Sequence, residues 1–93
     1  MNIREATSVV SAMFRVPVPV LMGAAQDITT SRARFALYWF GRERLGYSYG
    51  RIGKALSRDH TTVIHGYRRA LELRASDPEF LGKTDSLMEE GNG

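Results

Sequence analysis

The sequence predicts an all-α domain of about five or six helices that contains a helix-turn-helix. Three observations predict this fold. Apolar residues recur at spacings of three and four in successive segments, which is the period of a helix with one buried face. Capping residues, prolines and glycines separate these segments. Two of the predicted helices are joined only by a tight turn at Ser57 and Arg58, and this arrangement is a helix-turn-helix.

The first half of the chain predicts two helices with a short helical turn between them. Residues 2–14 form the first helix, which Asn2 can cap. Pro17 ends this helix because proline disfavours helical geometry in the residue before it. Pro19 can occupy the first position of a short helical turn. Residues 23–29 are predicted as a loop, and residues 31–45 as the second long helix. Its predicted core stripe comprises Ala33, Ala36, Leu37 and Phe40, whereas Arg34, Tyr38 and Arg42 lie along another line that is expected to face solvent.

The second half of the chain supplies the helix-turn-helix itself. Ser48 is positioned to cap a short helix over residues 49–56, and Asp59 to cap the next helix, which runs to about residue 75. Gly53 allows close packing against this second helix, because it has no side chain to hold the backbones apart.

The end of the chain predicts a weaker element. Residues 79–88 are amphipathic, but Gly82 and the acidic, glycine-containing terminus favour fraying. We therefore expect one domain over residues 1–80 and an acidic, frayed tail over residues 81–93.

The helix that begins after Asp59 has two chemically different faces. Its apolar stripe is predicted to comprise Val63, Ile64, Tyr67 and Leu71. The other face carries Thr61, His65, Arg68, Arg69 and Glu72. Hydroxyl, imidazole and guanidinium groups match base edges and phosphates, so this pattern is typical of a helix whose N-terminal end enters a DNA major groove.

A resemblance to a known family rests on this region. The unbroken run Arg58-Asp59-His60-Thr61-Thr62-Val63-Ile64-His65 resembles the signature of the DNA-binding C-terminal domain of the bacterial replication initiator DnaA. The similarity continues upstream through residues 48–53 and covers roughly residues 2–75. It implies sequence-specific binding to double-stranded DNA at initiator-type boxes, with a role in regulating replication initiation or transcription.

The resemblance also implies which residues contact DNA. The base readers would be Asp59, His60, Thr61 and Thr62. The backbone contacts would be Arg34, Arg42, Ser48, Arg58, His65 and Arg69. Six to eight phosphate contacts would reduce the affinity about a thousandfold between low and moderate salt.

The loop over residues 23–29 departs from the family pattern. The family places a basic residue here that reaches into the minor groove, whereas this chain has Gln26 and Asp27, with no arginine or lysine between Arg15 and Arg32. A carboxylate repels phosphates, and glutamine cannot replace the attraction of arginine to a narrow minor groove. This loop is therefore expected to contribute little to DNA affinity.

Charge and composition favour a polyanionic partner and exclude several other functions. Residues 1–75 carry 12 basic and 5 acidic side chains, a net charge of +7, whereas residues 76–93 carry 1 and 5, a net of −4. There is no cysteine and no apolar run long enough for a membrane span, so we expect a cytoplasmic, nucleoid-associated protein. A monomer on DNA is favoured, with the oligomeric state of the free protein left open.

Enzymatic and metal-binding functions are not expected. His60 and His65 are five residues apart and do not share a helix face as zinc ligands at i and i+4 would. No glycine-rich phosphate loop with a lysine is present, so the ATPase region of the initiator is absent from this sequence. We expect no cofactor and no catalytic residue.

One alternative function remains open at the level of the sequence. The chain could be a protein-interaction module that kept the scaffold and binds DNA weakly or without specificity, with a replication initiator or another protein as its partner. Four tyrosines could form the partner surface or simply pack, namely Tyr38, Tyr47, Tyr49 and Tyr67. The intact polar run from Asp59 to Thr62 argues against this alternative.

Overall fold

The computed structural model describes residues 1–92, and they form six α-helices without a strand. The helices are α1 (Ile3–Phe14), α2 (Val18–Leu21), α3 (Ile28–Glu43), α4 (Tyr49–Leu56), α5 (His60–Ser76) and α6 (Pro78–Asn92). The predicted all-α fold class is confirmed, and α4 and α5 form the helix-turn-helix. None of the helices in the described part of the chain combines the length and the apolar character that a bilayer span requires.

Side-chain caps determine where most of the helices begin. Asn2, Ser48 and Asp59 each accept a hydrogen bond from a backbone N–H group in the first turn of the following helix, as the sequence predicts. Helix α3 begins three residues earlier than expected, because Asp27 accepts from both the backbone N–H and the hydroxyl of Thr30, at 3.0 Å each. The acidic residue in the loop is therefore a helix cap.

Helix α3 is the centre of the core. It packs against the other five helices, and Ala33, Ala36, Leu37 and Phe40 are buried as predicted. Because neighbours surround α3, the Arg34–Tyr38–Arg42 line is not a solvent-facing row of side chains. Tyr38 is only 2% exposed.

The buried face of α5 differs from the predicted apolar stripe. Val63 is buried, but Leu71 is 44% exposed, and Gly66 and Ala70 face the core instead. A Cβ atom on Gly66 would lie 2.4 Å from a ring carbon of Tyr38. The small residues let α5 approach α3 closely, and a pattern based on large apolar residues misses such a face.

Helix α6 packs against the domain rather than fraying from residue 81. Phe80, Thr84 and Leu87 are buried, and the ring of Phe80 meets that of Phe14 edge to face at 6.1 Å. Two acidic residues of this region are used within the molecule, since Asp77 pairs with Arg32 and Asp85 pairs with Arg74, at 2.9 Å each. Phe80 and Leu87 give this segment an apolar anchor that offsets its weak helix propensity.

The turn of the helix-turn-helix depends on Gly53 and Ser57. Ser57 has the left-handed conformation, with φ 55° and ψ 46°, and ends α4. The backbone N–H of Arg58 then donates to the carbonyl of Gly53 at 2.8 Å. A Cβ atom on Gly53 would lie 2.4 Å from the carbonyl oxygen of Arg58, so the expected close packing at Gly53 is against the turn that precedes α5.

Candidate nucleic-acid interface

The first turn of α5 presents its polar side chains to solvent. Asp59, His60, Thr61 and Thr62 are all exposed. The carboxylate of Asp59 accepts from the backbone N–H of Thr61 at 2.9 Å, and the same oxygen lies 3.3 Å from Nδ1 of His60. The hydrogen bond from the Thr61 backbone lowers the pKa of Asp59, with a further contribution from His60. This aspartate is therefore charged at neutral pH and caps the helix.

The arrangement leaves three groups of different chemistry unshielded on one helix end. The imidazole of His60 can bond a purine edge, and the hydroxyl groups of Thr61 and Thr62 can donate or accept, while their methyl groups can pack on a thymine methyl. None of these side chains is needed for the core, since Val63 is the first buried residue of α5. The helix end is thus free to contact a partner without rearrangement of the fold.

Basic residues further along α5 flank this polar turn. His65, Arg68 and Arg69 are exposed. Nη1 of Arg69 lies 2.6 Å from a carboxylate oxygen of Glu72, but ion pairs between exposed residues contribute little to stability. The Arg69 guanidinium can therefore exchange this partner for a phosphate at small cost.

The N-terminal end of α4 forms a second exposed group of polar and aromatic side chains. Ser48 is exposed, and its hydroxyl accepts from the backbone N–H of Arg51 at 3.1 Å. The guanidinium of Arg42 lies 4.3 Å from the centre of the Tyr49 ring and donates to the carbonyl of Tyr47 at 3.1 Å. These contacts hold the half-buried Arg42 beside the start of α4, where Ser48 also lies.

Tyr67 of α5 packs against the aromatic side chains at the start of α4. Its ring meets that of Tyr49 at 5.8 Å, and its hydroxyl donates to a carboxylate oxygen of Glu43. This hydrogen bond raises the pKa of Tyr67 to about 12, so the hydroxyl stays protonated at neutral pH. The tyrosine fixes α5 against the C-terminal end of α3.

Arg34 has a different role from the phosphate contact expected from the sequence. It is 9% exposed, and its guanidinium donates to four backbone carbonyls at the end of α2 and in the loop that follows. Nε donates to Leu21 at 2.8 Å and Nη2 to Gly23 at 2.8 Å. The other two acceptors are the carbonyls of Val20 and Ala25. Burial lowers the pKa of Arg34, and the positive charge of Arg58 lowers it further.

Arg58 is also turned toward this loop. Its Nη2 donates to the carbonyls of Gly23 and, at 3.4 Å, Leu21. The sequence could not reveal either contact, because the acceptors are main-chain oxygens brought there by the fold. The phosphate contact expected for Arg58 therefore competes with hydrogen bonds inside the molecule.

The fold also creates a cleft that sequence analysis missed. It measures about 380 Å³ and lies between the α2–α3 loop, α3 and the start of α5. Its lining residues are Ala24, Gln26, Ser31, Arg34, Phe35, Tyr38, Arg58 and Thr62. No local pattern signals this cleft, because its lining comes from three separated segments. It places Gln26 on the same cleft as a predicted base reader, Thr62.

The folded chain matches a known family over most of its length. Residues 3–70 match the family model described as "Bacterial dnaA protein helix-turn-helix". The chain belongs to this bacterial DnaA helix-turn-helix family. It is a DnaA-like helix-turn-helix DNA-binding domain, and α4 and α5 are its helix-turn-helix.

Curated relatives support the same membership. The chain is 35% identical over 80 residues to the chromosomal replication initiator protein DnaA of Acinetobacter baumannii (strain ATCC 17978), a match that covers 85% of this chain and 17% of the relative. It is 34% identical over 88 residues to the protein of the same name from Nitrosospira multiformis, covering 94% of this chain and 18% of the relative. The chain therefore spans less than one fifth of the length of these relatives.

Proposed function

We propose that this DnaA-family domain binds double-stranded DNA sequence-specifically, at sites similar to initiator boxes, with the first turn of α5 in the major groove. The observation that carries this proposal is the exposed polar run from Asp59 to Thr62, held at a capped helix end that the core does not need. Base contacts would come from these four residues.

The surrounding residues would fix the position of the domain on the duplex. Ser48 and Arg42 at the start of α4, and His65 and Arg69 along α5, would contact the sugar-phosphate backbone. Contacts of this kind carry no sequence information, so preference among sites would come from the base readers. Arg34 is not one of these proposed contacts, because its guanidinium donates to backbone carbonyls within the molecule.

The biological role that fits this activity is regulation. A domain that occupies initiator-type boxes would regulate replication initiation or transcription, either by competing for the boxes or by recruiting another protein to them. In this role it would act at the nucleoid. An initiator that binds the same boxes is the natural competitor or partner.

The structure removes one basis for the protein-interaction alternative. That hypothesis relied on four tyrosines as a partner surface, but Tyr38 is buried, and Tyr47, Tyr49 and Tyr67 are half-buried against the core. Arg42 covers the ring of Tyr49, and Arg51 lies 3.7 Å above that of Tyr47. The described tyrosines therefore do not form an open aromatic surface.

Fluorescence anisotropy with labelled duplexes tests the proposed function. One duplex carries an initiator-type box and the other a scrambled sequence, and each is titrated at two salt concentrations. We expect tighter binding to the box, with affinity for both duplexes falling as salt rises. Equal weak binding to both duplexes would contradict sequence-specific recognition. The absence of binding at low salt would contradict DNA binding itself.

A further inference from the structure

Two arginines converge on one short stretch of backbone between α2 and α3. The carbonyl of Gly23 accepts from Nη2 of Arg34 at 2.8 Å and also from Nη2 of Arg58. The carbonyl of Leu21 accepts from Nε of Arg34 at 2.8 Å and from Nη2 of Arg58 at 3.4 Å. Both carbonyls are thus shared by two guanidinium groups from different parts of the chain.

This arrangement places two like charges, the guanidinium groups of Arg34 and Arg58, close together. Neither arginine forms an ion pair with a carboxylate within residues 1–92. Bringing two cations together is unfavourable, and Arg34 is also largely removed from water. Charge-assisted hydrogen bonds to carbonyls must offset this cost. Such an arrangement holds the backbone of residues 20–25 in one position.

Arg58 connects the backbone of residues 20–25 to the start of α5. Its own N–H group donates to the carbonyl of Gly53 in α4 at 2.8 Å, and the next residue is the cap of α5, Asp59. Its side chain reaches across to the loop. One residue therefore links α4, the α2–α3 loop and the first turn of α5.

We propose that Arg58 is a positioning residue, which sets the first turn of α5 against the α2–α3 loop and so controls the preference for a DNA sequence rather than the strength of phosphate binding. This inference rests on the proposed function. The cleft next to the two arginines supports this proposal, because Gln26 of the loop and Thr62 of α5 both line it. If the loop moved, the base readers would no longer meet the groove at the same angle.

Replacement of Arg58 by methionine, compared with the same change at Arg69, tests the proposal. Methionine keeps an unbranched stem but cannot donate a hydrogen bond. For Arg58→Met we expect the ratio of box affinity to scrambled affinity to fall about tenfold, since misplaced base contacts lose discrimination. For Arg69→Met we expect both affinities to fall alike, with the ratio unchanged. Thermal melting of both variants confirms that the fold is intact at the assay temperature.

The opposite result is equally clear. If Arg58→Met weakens binding to both duplexes to the same degree as Arg69→Met does, Arg58 is a phosphate contact and the proposal is overturned. If the unmodified protein shows no preference for the box, the proposed function fails instead. The ratio of box affinity to scrambled affinity of Arg58→Met then does not test the position of Arg58.

A measurement on the unmodified chain decides the position of Arg58 in that case, and also if the variant does not fold. Hydrogen exchange of the Arg58 side-chain N–H groups can be followed by NMR in the free protein. If Arg58 is hydrogen-bonded to the loop carbonyls in the free protein, its side-chain N–H groups should exchange as slowly as those of the buried Arg34. Fast exchange without DNA, like that of the exposed Arg15, would overturn the proposal.

Discussion

His60 and Thr61, two of the proposed base readers, lie in a turn whose side chains the fold does not need. Both side chains are exposed, and the cap that holds the turn uses the carboxylate of Asp59 and the backbone of Thr61. The side chains can therefore be removed without loss of the cap or of any core contact. The proposed role of these two side chains in base recognition can therefore be tested separately from stability.

The double variant His60→Ala with Thr61→Ala tests that separation. We expect a loss of about 2–4 kcal/mol in the free energy of binding to the box, because each good base contact contributes about 1–3 kcal/mol of discrimination. Affinity for the scrambled duplex should hardly change. The measurement is anisotropy with both duplexes, and Ser86→Ala on the exposed face of α6 is the control. Equal losses on both duplexes would mean that these residues do not read bases.

Asp59 gives the start of α5 a dependence on pH. Its pKa in the folded protein lies below the ordinary value of 3.8, so it stabilises the fold above that value and loses this contribution as the pH falls through the folded pKa. An asparagine at this position would cap the helix without titrating. We expect the melting temperature of Asp59→Asn to lie below that of the original protein at neutral pH.

The difference between the two proteins should then shrink on acidification. Thermal melting followed by circular dichroism at neutral pH and well below pH 3.8 provides the comparison. A difference that is the same at both pH values would show that the charge of Asp59 does not stabilise the folded state.

Between elements, α5 approaches α3 closely at Gly66. A Cβ atom there would lie 2.4 and 2.6 Å from two ring carbons of Tyr38, which is itself buried and cannot withdraw. Alanine favours a helix over glycine by about 1 kcal/mol. Overpacking of a core costs about 1–3 kcal/mol, so we expect Gly66→Ala to lower the free energy of unfolding by up to about 2 kcal/mol.

Gly82 supplies the matched control for this change. It also lies within a helix, and nothing lies within 4 Å of the position of its Cβ atom. Gly82→Ala should raise the free energy of unfolding by up to about 1 kcal/mol. Denaturant unfolding of both variants gives the comparison, and equal stabilisation by the two alanines would contradict the close contact at Gly66.

Helix α6 gives a second prediction at the level of elements, because the sequence favours fraying where the structure shows packing. Phe80 is 2% exposed and its neighbour Leu81 is 36% exposed. We expect Phe80→Ala to reduce the free energy of unfolding by about 3–5 kcal/mol, as is usual for a buried aromatic residue. Leu81→Ala should cost less than about 1 kcal/mol. Similar small costs for both changes, measured by denaturant unfolding, would support fraying.

The whole molecule shows which features a sequence can reveal. Caps are local, so Asn2, Ser48 and Asp59 are predicted correctly from the residues that follow them. The polar turn of α5 is equally local. Arg34 is different, because its partners are carbonyls that lie 9 to 14 residues away in the chain and have no side-chain signature.

The same limit explains the misplaced buried face of α5. Helical periodicity identifies large apolar residues, and it selects Leu71, which the fold leaves 44% exposed. The close contact with α3 is made at Gly66, where the absence of a side chain leaves room for the ring of Tyr38. Predicting it requires knowledge that Tyr38 lies opposite, and that knowledge comes only from the tertiary structure.

The inward-facing arginines alter the expected salt dependence of DNA binding. Six to eight phosphate contacts would require Arg34 and Arg58, whose guanidinium groups bind carbonyls. Four exposed or half-buried arginines remain beside the start of α4 or flank the polar turn of α5, namely Arg42, Arg51, Arg68 and Arg69. About four neutralised phosphates give a slope of about −3.6 in a plot of log affinity against log salt concentration.

Affinity for the box should therefore fall about a hundredfold, rather than a thousandfold, between about 50 and 200 mM salt. Anisotropy titrations at four or more salt concentrations within that range measure the slope. Arg69→Gln should make it less steep by about 1. Arg15→Gln is the control. Arg15 directly follows Phe14, whose ring packs on Phe80 at the start of α6. Arg15 therefore lies beyond the C-terminal end of α5. A slope steeper than about −6 in the unmodified protein would contradict the count of about four phosphate contacts.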